Sequence, residues 1–114
     1  MQKSNKIGKL VLALSKVQAQ LGQNANVVLS NNRIEQELQD LWSSTRDLLA
    51  QNELVIIQMP TDVAGLTTVL AHSSGEYLAS TCYIPAKEDA EDVKHAVNYA
   101  RTIALASFIG LVID

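Results

Sequence analysis

One cysteine, Cys82, stands in a chain of 114 residues, so no internal disulfide can form; that fits a reducing compartment. Prolines number two and glycines five, too few for a collagen-like or low-complexity chain. The longest strongly apolar run without a charge, residues 102–113, is shorter than the roughly 20 residues a membrane-spanning helix needs. Lys3, Lys6 and Lys9 open the chain, but Lys16 interrupts the apolar stretch behind them, which is not the pattern of a secretory signal. Aromatic residues are scarce as well: Trp42, Tyr77, Tyr83, Tyr99 and Phe108 give little material for stacking bases. These absences point to a soluble cytoplasmic domain without disulfide, membrane span or leader.

Acids are missing from residues 1–34, which carry five bases and a net +5. Residues 35–114 hold the other four bases and all twelve acids, a net −8. The overall charge of −3 argues against indiscriminate binding of a polyanion, yet a chain so polarised can present a basic face. With 47% hydrophobic and 18% charged residues, the sequence can build the core of a single ordered domain.

Apolar periodicity divides the chain into six elements. Ile7, Leu10, Val11, Leu14, Val17 and Leu21 recur at helical spacing, predicting an amphipathic helix over 4–21 that stops at Gly22. Lys9 and Lys16 lie together on its opposite side. Residues 23–32 read as a loop or short strand around Val27-Val28-Leu29. A second helix is expected over 33–51, burying Ile34, Leu38, Leu41, Trp42, Thr45, Leu48 and Leu49, with Asn52 as its C-terminal cap. Three β-rich runs follow at 54–59, 66–71 and 77–84, separated by turn chemistry at Pro60, Asp62 and Gly65 and at His72-Ser73-Ser74-Gly75-Glu76. In the last run Leu78, Ser80, Cys82 and Ile84 share one face, and Tyr77, Thr81 and Tyr83 the other. After Pro85 an acidic approach leads into a final helix over 92–109, rich in small residues. The expected class is α+β: two N-terminal helices, a three-stranded antiparallel meander and a C-terminal helix packed on the sheet.

Catalytic signatures are lacking. His72, Cys82 and His95 stand 10 and 13 residues apart, which fits no common metal spacing; a loop histidine, a core cysteine and a helix-surface histidine are the plain reading. Ser73-Ser74 lies near His72, but no oriented base or oxyanion pocket accompanies it. No enzyme, metal site or cofactor is expected. One polar grouping stands out on the last helix, where Lys94, Asn98 and Arg101 share a face. A cation, an amide and a guanidinium in a row all donate to phosphate oxygens. On spacing alone a solvated edge is the better reading of the same residues, with Lys94 paired to Glu91 and Arg101 covering apolar surface.

Three stretches taken in order resemble the essential recombination function (ERF) family of phage single-strand annealing proteins. They are Ala13-Leu14-Ser15-Lys16-Val17-Gln18; the spaced set Leu38, Trp42, Arg46, Leu49, Asn52, Leu54 and Gln58; and His72-Ser73-Ser74-Gly75-Glu76 with Ser80-Thr81, Pro85, Ala96, Asn98-Tyr99-Ala100-Arg101, Leu105, Gly110 and Asp114. The likeness runs over nearly the whole chain from about residue 10. Departures are local: Thr102 stands where the family has a second arginine, Ile103 where it has an aromatic, and Lys94-His95 where it has Gly-Ser.

The resemblance implies a β-β-β-α core in one domain over residues 1–114, without the variable C-terminal tail usual in the family. It implies ATP-independent binding of single-stranded DNA and annealing of complementary strands in phage-type recombination inside a bacterial host. A homo-oligomeric ring or filament is implied too, with a phage exonuclease or host single-strand binding protein as further partners. Arg101 matches the first arginine of the family's Tyr-Ala-Arg-Arg run; Lys94 and Asn98 join it by helical geometry, and Lys9, Lys16 and Lys87 are further cations for the backbone. The missing second arginine implies a shallower salt dependence. An alternative of another class is a protein-interaction module that keeps the fold, does not bind DNA, and co-assembles with or modulates a full-length annealing protein.

Overall fold

In a computed structural model of the chain, the structure describes residues 2–24, 28–29, 34–61, 64–84, 89–109 and 112–113. Lys87 and Pro85 lie outside them, as do the side chains of Ile34, Leu38, Leu41 and Phe108. The elements are β1 (Gln2–Lys3), α1 (Gly8–Asn24), β2 (Val28–Leu29), α2 (Ile34–Gln51), β3 (Leu54–Pro60), β4 (Gly65–His72), β5 (Tyr77–Tyr83), α3 (Ala90–Ile109) and β6 (Val112–Ile113).

The α+β class is as expected, but the antiparallel sheet has four strands where a three-stranded meander was expected. Its order is β1-β5-β4-β3, with β1 antiparallel on β5 through Gln2↔Ala79 and Lys3↔Leu78. The first helix therefore starts later than residue 4. Ser4 draws the chain into the sheet instead: its N–H donates to the Tyr77 carbonyl at 3.0 Å, and the Tyr77 N–H donates to its Oγ at 2.9 Å. Gly22 does not end α1, which runs on to Asn24; one helical glycine costs only about 1 kcal/mol. Val28–Leu29 pairs in parallel with Val112–Ile113, apart from the main sheet.

Helix ends follow local chemistry. No acid occupies the first turn of α1; the carboxylate of Glu76 accepts the Leu10 N–H at 3.0 Å instead. A charged acceptor on an otherwise orphaned N–H stabilises a helix start by about 1 kcal/mol. Glu76→Ala is accordingly expected to lower stability by about 1 kcal/mol, read as a shifted urea midpoint at constant m-value. At the end of α2 the Asn52 side chain donates to the Leu48 carbonyl at 2.8 Å, while Glu53 takes the left-handed conformation, φ 61°. Asp89 accepts the Glu91 N–H at 2.8 Å, so α3 begins two residues before the expected Asp92.

Strand parity sorts the sheet into two faces. Leu54, Ile56, Leu66 and Leu70 point inward and are buried, the core being completed by Leu10, Ala13, Val17 and Leu21 of α1, Leu49 of α2 and Leu105 of α3. Trp42, expected inside the stripe of α2, packs half-buried against that core. Val11, expected in the stripe of α1, is exposed, because Leu10, Ala13, Val17 and Leu21 set the buried direction. The opposite sheet face, with Val55, Ile57, Met59, Tyr77 and Tyr83, is uncovered.

A candidate nucleic-acid interface on the helical side

Gln58 breaks the apolar inward set of β3. Its side chain reaches α3, where Nε2 donates to the Arg101 carbonyl at 3.0 Å and Oε1 accepts from Arg101 Nε at 3.3 Å. The same Nε2 donates to Oγ1 of the buried Thr68 at 3.2 Å. One amide thus pins two strands and a helix, and it holds the guanidinium by its Nε edge. Arg101 is half-buried, and among the described residues no carboxylate pairs with it. A partly desolvated cation without an acid is costly unless an anion is supplied, and the two terminal nitrogens left over form the fork that suits a phosphate.

Lys94 and Asn98 lie on the same helical face as Arg101. Lys94 is exposed and Asn98 half-buried, and the Asn98 carbonyl accepts the Thr102 hydroxyl at 2.8 Å. Thr102 itself is fully buried. Where the resembled family carries a second arginine, this chain therefore has a core position, not a surface one.

Lys9 and Lys16 are both exposed and line a second feature, a cleft of about 240 Å³ between α1 and the α2–β3 junction. Leu12, Ala13, Gln51, Asn52, Glu53 and His72 complete its lining. His72 pairs with Leu54 at one end of the β3–β4 ladder, and Thr68 pairs with Gln58 further along it. Four strand positions, about 13 Å, separate His72 from Thr68 along β4. The six residues expected from sequence thus divide: Lys9 and Lys16 at the cleft, Lys94, Asn98 and Arg101 along α3, and Lys87 outside the described residues.

Compared with family models, curated proteins and solved structures, the chain matches none. The fold and its surfaces therefore carry the functional argument alone. Two contributors went unassigned as site residues from sequence. Gln58 carried a signal, being a polar residue in the inward register of an apolar strand; His72 carried only its place in the turn. Among the described residues no group of three or more His, Cys, Asp and Glu could hold a metal ion, and no helix is long and apolar enough to cross a membrane.

The uncovered sheet face is the other large surface. It comprises Val55, Ile57 and Met59 of β3, Gly65, Thr67, Val69 and Ala71 of β4, and Tyr77, Ala79, Thr81 and Tyr83 of β5, which lie opposite one another across the ladders. None of these residues is charged. Tyr83 is 70% exposed and Tyr77 37%.

Proposed function

We propose that the chain is a homo-oligomeric domain that holds single-stranded DNA by its phosphates and anneals complementary strands without nucleotide hydrolysis. Half-buried Arg101, its guanidinium clasped by Gln58 and without a carboxylate partner among the described residues, is the observation that carries this reading. Lys94 and Asn98 extend the row along α3, and Lys9 and Lys16 add a second anchoring point at the cleft beside α1. Gln58 and Arg101 come from separate stretches of the ERF-like pattern, 43 residues apart, and their contact gives that spacing a physical use. Phosphate contacts carry no sequence information, so bases stay free to pair and annealing follows from raised local strand concentration.

The test is ATP-free annealing of two complementary labelled oligonucleotides across a salt series, with Arg101→Ala alongside. The wild type is expected to accelerate annealing in a salt-sensitive way. Arg101→Ala is expected to weaken binding about tenfold on every sequence and to flatten the log K against log salt slope by about 0.7, with folding retained. Unchanged affinity in that variant would remove Arg101 from the interface.

The sheet face, none of whose named residues is charged, fits a second reading as well, a protein-interaction module that kept the fold and lost the DNA work. We assign the face to a second copy of this chain. A surface without charges meets its own two-fold image without like-charge repulsion. Its exposed side chains offer on the order of 600 Å² per copy, and a pair buries about twice that, within reach of a specific interface. Self-association serves either reading; retention on single-stranded DNA resin that fades with salt separates them.

A further inference from the structure

We propose that His72 is a third phosphate-binding residue, which completes an oxyanion site with Lys9 and Lys16 in the cleft beside α1; for its biological ligand this rests on the single-strand DNA reading above. His72 sits at the end of β4 on the inward face and lines that cleft with the two lysines.

The turn fixes the ring's chemistry. The Ser74 N–H donates to His72 Nδ1 at 3.1 Å, and the Ser74 hydroxyl lies 2.9 Å from the same nitrogen. That hydroxyl accepts the Glu76 N–H at 3.2 Å, so its proton is directed to Nδ1. A nitrogen receiving an N–H is bare in the neutral imidazole, which places the ring proton on Nε2. Nε2 has no partner among the described residues. The turn therefore turns His72 into a donor with one free N–H.

The neighbours suit an oxyanion. Lys9 and Lys16 stand two helical turns apart, about 10 Å along the axis, and flank the cleft from one side. Glu53 is the one carboxylate in the lining among the described residues; the Ser73 hydroxyl donates to its Oε1 at 2.9 Å, which holds it at the β4–β5 turn. Two ammonium groups and a neutral N–H against one occupied carboxylate leave the cleft net positive. A phosphate there would accept from Nε2 of His72 and from one or both lysines.

Two variants separate this role from a structural one. His72→Asn keeps a side-chain acceptor for the Ser74 N–H, an arrangement asparagine adopts readily in turns, and removes the donor at Nε2. His72→Gln places an amide N–H near the position of Nε2. Binding of a fluorescein-labelled oligothymidylate is read by anisotropy at fixed salt, with melting temperature recorded for each protein. Three- to tenfold weaker binding by His72→Asn at an unchanged melting temperature, with most of the affinity restored by His72→Gln, is the expected result. Wild-type affinity in His72→Asn overturns the proposal, as does an equal loss in both variants accompanied by lowered melting.

A second arm keeps the site testable if the DNA reading fails. Inorganic phosphate is titrated into the ¹⁵N-labelled full chain while the His72 ring resonances are followed. A saturating shift at Nε2 that is abolished in a Lys9→Ala, Lys16→Ala double variant is expected. No shift overturns the site whatever the protein does with DNA, and a shift without oligonucleotide binding by the wild type locates the failure in the DNA reading.

Discussion

Thr102→Arg is expected to destabilise the domain by about 4 kcal/mol or more, enough to leave much of it unfolded at 37 °C given ordinary domain stabilities of about 5–15 kcal/mol. The substitution restores the arginine pair of the resembled family, so a surface reading of the helix would make it harmless or even useful for DNA. The structure places Thr102 in the core with no exposed surface, about one helical turn before the fully buried Leu105. A guanidinium there is desolvated without a partner, and its volume has nowhere to go; overpacking adds about 1–3 kcal/mol to the charge penalty.

Thr102→Val is the control. It loses only the bond from Oγ1 to the Asn98 carbonyl, a within-helix bond of little net value, and is expected to change stability by less than about 1 kcal/mol. Urea denaturation of the three proteins decides the matter. A folded Thr102→Arg that binds oligonucleotide more tightly would mean that α3 sits the other way round and that its buried face has been misassigned.

Local chemistry carried much of the fold. The His72-Ser73-Ser74-Gly75-Glu76 turn was legible because the Gly75 N–H closes it on the His72 carbonyl at 2.9 Å and Gly75 takes φ 94°, a conformation glycine adopts freely. The three meander strands were legible from their branched residues, and α2 from its apolar stripe and the Asn52 cap. What escaped was set by contacts distant in sequence. The fourth strand depends on Ser4 meeting Tyr77, 73 residues on, and no property of Gln2 or Lys3 announces it. The start of α1 depends on Glu76, 66 residues from Leu10.

The candidate site divides in the same way. Lys94, Asn98 and Arg101 could be placed on one face by helical geometry alone, and so could Lys9 and Lys16. The placement of the two groups relative to each other could not, because it depends on how α1 and α3 pack on the sheet. Nor could the Gln58 clasp, since a polar residue in a strand announces burial without naming its partner.

Ile57→Lys is expected to convert an oligomer into a folded monomer. Ile57 lies midway along the edge strand β3 on the uncovered face, opposite Val69, which pairs in turn with Ala79. It is 43% exposed in the single chain, so a lysine there keeps its ammonium in water and leaves the monomer fold within about 0.5 kcal/mol of the wild type. In a two-fold pair that buries this face the lysine meets apolar partner surface, and each copy must then bury a charge against the other. That penalty is several kcal/mol, a loss of more than a hundredfold in association. Such a face is unusual for a sheet covered on one side only: antiparallel strands with a solvated face alternate apolar and polar residues, whereas β3 reads Leu54-Val55-Ile56-Ile57-Gln58-Met59 and is apolar on both sides. Sedimentation of wild type and Ile57→Lys at matched concentration reads the outcome directly. A wild type that sediments as a monomer, or a variant that stays associated, would take the second copy off this face. A dissociated variant that still binds oligonucleotide but no longer accelerates annealing would separate the proposed holding of a strand from the proposed bringing together of two.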